Sequence, residues 1–285
     1  MIGDVSVVIP CYNHAHYLPD CLNSIFRQTV QPAEVLVVDD GSTDNTATVA
    51  ASYEKVRHIF QKNCGLGNTR NNGLAQAKFQ YVLFQDADDI LHPGALENHL
   101  KCFSENRDAA FVVGSYERID ELGQPKENWA VPAPSRADLY CALLTENFIS
   151  MPGTVLYRRK VLESTGGFDP SVPGCEDYDL YLRLASSHSI AFHNNVAGYY
   201  RSVSGSMSSN GIQMFEMSLK ALDRQKRNIE KNNDYLQAFE FGKKNLEFRY
   251  GKKILVNALT ALVSLNFKLF AKNIGYLHAL SLIHI

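Results

Sequence analysis

Tyr81-Val82-Leu83-Phe84-Gln85-Asp86-Ala87-Asp88-Asp89 decides the reading of this chain, because four apolar residues with the character of a buried strand run straight into three carboxylates within four residues. In an open α/β sheet, ligands collect in the crevice beyond the carboxyl ends of the strands, so acids placed here stand where a site forms. The competing reading is a polar turn whose aspartates face water and cap the helix beginning near Pro93, since turns favour Asp for local hydrogen-bonding reasons. The neighbouring segments decide between the two.

Towards the N-terminus, Val5-Ser6-Val7-Val8-Ile9, ended by Pro10, reads as a parallel strand buried on both faces. Leu18, Cys21, Leu22, Ile25 and Phe26 share one helical face, with Pro19 tolerated in the first turn. Val35 to Val38 predicts a second strand, closed by Asp39-Asp40-Gly41-Ser42-Thr43-Asp44, whose polar side chains can cap a short helix. Val56 to Phe60 reads as a third strand and Gly67 to Ala77 as a helix leading back to Tyr81. The order βαβαβαβ predicts an α/β fold, a mostly parallel sheet flanked by helices with right-handed crossovers. Its crevice would gather Pro10 to Asn13, Asp39 to Asp44 and Asp86 to Asp89.

Downstream, the pattern predicts a helix at Leu96 to Phe103, a strand at Ala110 to Tyr116 and a surface excursion with a hairpin over Glu117 to Ser135. A helix near Asp138 to Thr145 and a strand near Thr154 to Tyr157 follow. Gly166-Gly167-Phe168-Asp169 reads as a turn, Glu176-Asp177 as the approach to a helix, and Ile190 to Phe192 and Val196 to Tyr200 as two short strands. From Gly211 the chain turns helical and basic. Residues 1–210 carry 16 Lys+Arg against 24 Asp+Glu, or −8, while 211–285 carry 12 against 6, or +6, which divides an acidic part from a basic C-terminal extension.

With 45% hydrophobic and 20% charged residues over 285 positions, the chain is globular and not disordered. Six scattered cysteines without a CxxC pair exclude a disulfide framework and a structural zinc site, leaving free thiols that pack. The chain enters its first strand without the features of a secretory leader, so a cytoplasmic location is expected.

Asp86 and Asp88, two apart, project to one side of an extended loop, and Asp89 to the other. Hard oxygen ligands of this kind suit Mn²⁺ or Mg²⁺, which take one or two protein carboxylates and complete their shell with phosphate and water. A diphosphate leaving group is the natural client. Asp39 and Asp40, at the second strand end, either accept hydrogen bonds from a nucleoside or cap the next helix. Arg70 either faces solvent or meets a phosphate. Glu176-Asp177 offers a general base, or simply acids at a helix N-terminus.

Taken together these stretches resemble glycosyltransferase family 2, the inverting nucleotide-sugar-dependent enzymes of GT-A fold. The likeness runs from about Val5 to Met207, through Val5 to Asn13, Gln28-Thr29, Glu34 to Asp44, Gly65 to Gly73, Asp86-Ala87-Asp88-Asp89 and Glu176-Asp177. It implies that Pro10, Tyr12, Asn13, Asp39, Asp40 and Arg70 line the nucleotide site. Asp86 and Asp88 then form the DxD motif, with Asp88 the direct ligand of Mn²⁺ or Mg²⁺ and Asp89 structural. Asp177 matches the catalytic base and Glu176 its neighbour on the acceptor side. The implied donor is a nucleotide sugar, a UDP-sugar first, and the implied acceptor a glycan or lipid-linked glycan in polysaccharide or glycoconjugate synthesis. One position departs from the family pattern: where a His often follows Tyr200-Arg201 by two, this chain has Val203, so Arg201 or another group, with His193 as a candidate, would have to serve the diphosphate.

Two rivals are a nucleotidyltransferase and a non-catalytic nucleotide-sugar-binding protein of the same fold. The first would bring a glycine- and basic-rich phosphate loop after the first strand, and Cys11 to His16 is not one. No nucleic-acid module is present. Lys252-Lys253, the 14 uncharged residues Ile254 to Phe267, and the apolar end at Ile285 leave three readings for 252–285: a peripheral membrane contact at the inner face, a helical cap on the catalytic part, or a dimer contact.

Overall fold

The computed structural model describes residues 3–126, 138–203 and 207–279. Its first part alternates β1 (Val5–Cys11), α1 (Leu18–Phe26), β2 (Glu34–Asp39), α2 (Thr46–Ala51), β3 (Val56–Phe60), α3 (Leu66–Gln76) and β4 (Tyr81–Phe84). β1 pairs in parallel with β2 and β4, and β2 with β3. β1, β2 and β4 run almost continuously apolar because both faces are covered, yet their side chains still alternate, while the edge strand β3 carries Arg57 and His58 and is only partly buried. Val5, Val7, Ile9, Val35, Val37 and Leu83 join one core beneath α1 and the later helix α4 (Ala95–Glu105). Val8, Leu36, Val38, Val82 and Phe84 join a second core on the opposite face.

The second part adds β5 (Ile90–Leu91), β6 (Ala109–Ile119), α5 (Leu139–Thr145), β7 (Val155–Arg158), α6 (Arg159–Ser164), α7 (Glu176–Ala185) and β8 (Ser189–Arg201). The complete sheet runs β3-β2-β1-β4-β7-β6-β8-β5. β7 enters antiparallel between β4 and β6, and β5 antiparallel on β8, while β6 and β8 are parallel. The sheet is therefore mixed, with its parallel half carrying the β1, β2 and β4 tips. The two short strands expected at 190–192 and 196–200 are one strand, whose register shifts against β6 keep it paired across the Asn194–Asn195 irregularity. Part of the 117–135 excursion continues β6 to Ile119, which bridges Pro125 across a tight turn; residues 127–137 lie outside the described set.

Asn210 caps α8 (Gly211–Asp223), whose Gln213 N–H it accepts, followed by α9 (Lys226–Ile229), α10 (Asn233–Val263) and α11 (Phe267–Ala279). The change at 210/211 is one of secondary structure: Phe215, Leu222, Ile229, Phe239, Leu246 and Tyr250 pack in the same core as Phe84 and Tyr181. Burying each such side chain contributes about 1.5–3 kcal/mol. α10 crosses α5 so closely that a Cβ at Gly242 would overlap the Leu144 carbonyl.

Candidate functional site

The tips of β1, β2 and β4 converge, as the topology requires, with the head of α7. Asn13 takes a left-handed φ of +56° and ties the first two tips together. Its N–H donates to Ser42 Oγ and its Oδ1 accepts from Thr43 N–H. Gly41, at φ +78°, lets that turn pass close to Asn63, where a Cβ would stand 2.9 Å from the backbone nitrogen. Asp44 caps α2 by accepting from Thr46 N–H and holds Ala15 N–H. Pro10 is buried within β1, and Tyr12 presents a half-exposed ring beside it.

The two β2 acids are buried and internally bonded. Asp39 accepts from Ser42 N–H at 2.8 Å and lies 3.2 Å from His58 Nε2. Asp40 accepts from Cys64 N–H at 2.9 Å, Gly65 N–H at 3.0 Å and Gln61 Nε2 at 2.7 Å, so it anchors the loop into α3. Both stand in the expected crevice, but each has a structural task there.

Arg70, on α3, is buried with its guanidinium stacked on Phe168, 5.4 Å from the ring centre, and its Nη2 donating to Asp86 at 2.8 Å. Burial opposes its charge, but the Asp86, Asp177 and Glu176 carboxylates more than offset this and raise its pKa. Its guanidinium is engaged with the carboxylate cluster and does not face solvent.

The acidic loop divides its three carboxylates as the alternation predicts. Asp89 is buried and accepts the Arg201 N–H at 2.8 Å. Asp86 is half-buried against Arg70. Asp88 receives no hydrogen bond from another described residue; burial first, and then the Asp86 carboxylate, push its pKa up, against the opposing charges of His14 and Arg201. Among the described residues no group of three or more His, Cys, Asp or Glu converges as a metal cage. Two half-buried carboxylates suit a divalent cation that shares its shell with phosphate and water, and a desolvated Asp88 that takes no hydrogen bond from another described residue is a donor such an ion would satisfy.

Arg201 differs from its expected task. The side chain is buried, with Nε on the Asp88 carbonyl and Nη1 on the Glu121 carbonyl, both at 2.8 Å, Nη2 on Asp20 at 3.1 Å, and the guanidinium over Tyr17. Each of its three guanidinium nitrogens is engaged in clamping the acidic loop to α1 and the β6 turn, so it holds the Asp88 backbone in place. Val203 is half-buried beyond it, and residues 204–206 of the closing segment lie outside the described set. His193 packs in the opposite core, its Nε2 2.9 Å from Nδ1 of buried His99, far from the carboxylate cluster in the fold.

Glu176 and Asp177 lie in the first turn of α7. Glu176 is buried, its Oε2 accepting from Gly174 N–H at 2.8 Å and its stem against Gly67 of α3. Asp177 is half-buried above Tyr157 and Tyr181, and burial pushes its pKa up to about 6, against the pull of Arg70. A carboxylate with this pKa is ionised at neutral pH yet basic enough to take a proton. The cluster thus brings Asp86, Asp88, Arg70, Glu176 and Asp177 together, as expected. Pattern reading missed the Arg201 clamp and Asp179. The latter is buried under Arg183 and Arg224 at 2.7 and 2.6 Å and rivets α7 to α8; its only advance signal was the i,i+4 spacing to Arg183.

Known proteins resemble this chain in sequence and in fold. The family model described as Glycosyl transferase family 2 matches residues 6–166. Chondroitin synthase of Escherichia coli is 32% identical over 229 residues, 79% of this chain and 31% of that protein. An uncharacterized glycosyltransferase of Rickettsia conorii is 31% identical over 201 residues, 67% of this chain and 33% of its own length. This chain therefore spans about a third of these curated relatives. Among solved structures, Staphylococcus aureus TarS 1-349 in complex with UDP-GlcNAc has a TM-score of 0.62 at 18% identity, covering 94% of this chain and 90% of that one. The mannosyltransferase PcManGT from Pyrobaculum calidifontis, in complex with GDP-Man and Mn²⁺, has a TM-score of 0.64 at 18% identity over 93% and 80%. These two likenesses establish a GT-A fold. With the family match extending over more than half of the chain and through the β1, β2 and β4 tips, the chain belongs to glycosyltransferase family 2.

Proposed function

We propose that this chain transfers a sugar from a nucleoside diphosphate sugar to an acceptor hydroxyl with inversion at the anomeric carbon, in the synthesis of a polysaccharide or other glycoconjugate. The observation that carries the reading is the pairing of Asp88 at the β4 tip, which takes no hydrogen bond from another described residue, with a base-competent Asp177 at the head of α7, both coupled electrostatically to Arg70 or Asp86. Asp177 takes the acceptor proton as the hydroxyl oxygen attacks the anomeric carbon. The bond to the leaving diphosphate breaks on the opposite face, so configuration inverts. A divalent cation, Mn²⁺ or Mg²⁺, held by Asp88 with Asp86, would neutralise charge on the departing diphosphate. Arg70 holds Asp86 in place, the Arg201 clamp fixes the Asp88 backbone, and Glu176 fixes the turn before Asp177. Tyr12 offers a ring on which a nucleobase can stack.

The donors bound in the two solved structures, UDP-GlcNAc and GDP-Man, differ in base, and their shared part is a sugar on a nucleoside diphosphate. A UDP-sugar is the first donor to test, and a growing glycan or lipid-linked glycan the acceptor class. Release of nucleoside diphosphate should be measured across UDP-, GDP- and dTDP-sugars with glycan acceptors, with Mn²⁺ or with EDTA. The reading expects acceptor-stimulated release with at least one donor, lost in EDTA. Release of pyrophosphate in place of nucleoside diphosphate would reassign the site to nucleotidyl transfer.

A further inference from the structure

The far end of the α10–α11 hairpin is unlike the rest of the surface. Of fourteen large apolar side chains exposed among the described residues, eight lie between Leu255 and Leu269. Ile254, Ala258 and Ala261 form the inner, buried stripe of α10, so the outer side of its last turns has no need to be apolar to fold. Yet it carries Leu255, Leu259, Leu262 and Val263, the turn adds Leu265, and the start of α11 adds Phe267. Val263, Leu265 and Phe267 are 85%, 73% and 61% exposed, at the outermost point of the hairpin. A contiguous exposed patch of this kind marks an interaction surface.

Charge selects the occupant. From Phe248 to Ile285 the chain holds five Lys or Arg and no Asp or Glu. Lys252 flanks the apolar tip on α10, and Lys268 and Lys272 on α11, all three exposed. A second copy seated on this face would bring like charges together without an acid to meet them. An apolar tip ringed by lysines instead matches the boundary between acyl chains and anionic headgroups. No helix among the described residues is long and apolar enough to cross a membrane, so the tip would enter one leaflet to a depth of roughly 5–10 Å.

We propose that the α10–α11 turn seats this protein on an anionic lipid bilayer, with Val263, Leu265 and Phe267 inserted and Lys252, Lys268 and Lys272 against the headgroups. The hairpin also fixes which side of the molecule faces the lipid. Lys253 Nζ donates to the Ser208 carbonyl, and Asn257 Nδ2 to the Ser209 carbonyl at 3.2 Å. Met207 in that same turn lies against Gly174, where a Cβ would stand 3.1 Å from its sulfur, and Gly174 N–H is held by Glu176. The hairpin is thus joined through three short links to the turn beside Asp177, which places the bilayer on the acceptor side. That last step rests on the glycosyl-transfer reading; the seating itself does not.

Flotation of the full 285-residue chain tests the seating, using vesicles of phosphatidylcholine alone and of phosphatidylcholine with an equal part of phosphatidylglycerol. The protein should float with the mixed vesicles and not with phosphatidylcholine alone. V263E/F267E should lower partitioning at least about tenfold, and each of Lys252→Glu, Lys268→Glu and Lys272→Glu about fivefold or more, with unchanged circular dichroism and donor turnover on a soluble acceptor. Equal recovery of wild type from both vesicle types, no recovery from either, or flotation of V263E/F267E at the wild-type level would overturn the proposal. So would a wild-type dimer in sedimentation that V263E/F267E disperses while neither protein floats, which would assign the face to a second copy.

Discussion

Two sets of carboxylates stand within the same crevice and are treated oppositely by the fold. Asp39, Asp40, Asp89 and Glu176 are buried acceptors of backbone N–H groups, and each fastens a loop to its neighbour. Asp88 has no such donor from another described residue, and Asp177 meets only the N–H of the residue that follows it, at 2.7 Å. Burial raises the pKa of both, as it also does for Asp89 and Glu176, so it is the hydrogen-bond partners that separate the two sets. On the proposed function, the acids that hold the site together are satisfied by the chain, and the two assigned to chemistry are left for a ligand or a substrate proton. The difference separates a stability role from a catalytic one among residues that look alike in the sequence.

The largest effect that tests this division is on catalysis. Asp177→Asn should lower kcat by roughly 10² to 10⁴ while donor binding and thermal midpoint stay near wild type, as read by nucleoside diphosphate release and calorimetry. Loss of folding in this variant would move Asp177 into the structural set. Next comes a stability effect of the opposite kind. Asp40→Ala leaves the Cys64 and Gly65 N–H groups unpaired in a closed turn and should cost about 3 kcal/mol in denaturant unfolding. An unfolding midpoint equal to wild type would show that water replaces the carboxylate and that Asp40 is free for a nucleoside.

A smaller effect follows from protonation. Asp177 must be ionised to take a proton, so with its pKa at about 6 transfer should fall as pH drops through 6 and level off above 7. The same shift works in the other direction on folding. A pKa raised above the usual carboxylate value stabilises the fold fully below about pH 4, and that contribution is lost as pH rises to about 6. In Asp177→Asn both the acid limb of residual activity and this slope should vanish. Smallest of all, Asp88→Asn should change unfolding free energy by less than about 0.5 kcal/mol or increase it slightly, because the ionised form is disfavoured in the fold. A loss of 2 kcal/mol would place Asp88 with Asp89.

Much of this was legible from residue pattern. Strands β1, β2 and β4 were readable because each is a short apolar run bounded by turn residues, and α1 carries one apolar face. The convergence of their tips followed from parallel topology alone. The placement of β7 between β4 and β6 was not legible, since Val155–Arg158 is four residues long and nothing local states its partner or direction. The Arg201 clamp was equally hidden. Asp20 sits on the outward side of α1, 181 positions away in sequence, and reads as an ordinary acid in a first helical turn. Glu176 and Asp177 are adjacent acids in one turn, and only the approach of α3 and Gly174 shows that the first is fixed and the second is open.

Titration calorimetry of the nucleotide-sugar donor into Asp88→Asn and Asp177→Asn, each with and without Mn²⁺, tests the division most directly. Asp177→Asn is predicted to bind donor in Mn²⁺ with wild-type affinity, and Asp88→Asn to lose the Mn²⁺-dependent part of that affinity. Undiminished Mn²⁺-dependent binding in Asp88→Asn, or its loss in Asp177→Asn, would contradict the assignment of metal and base to these two acids.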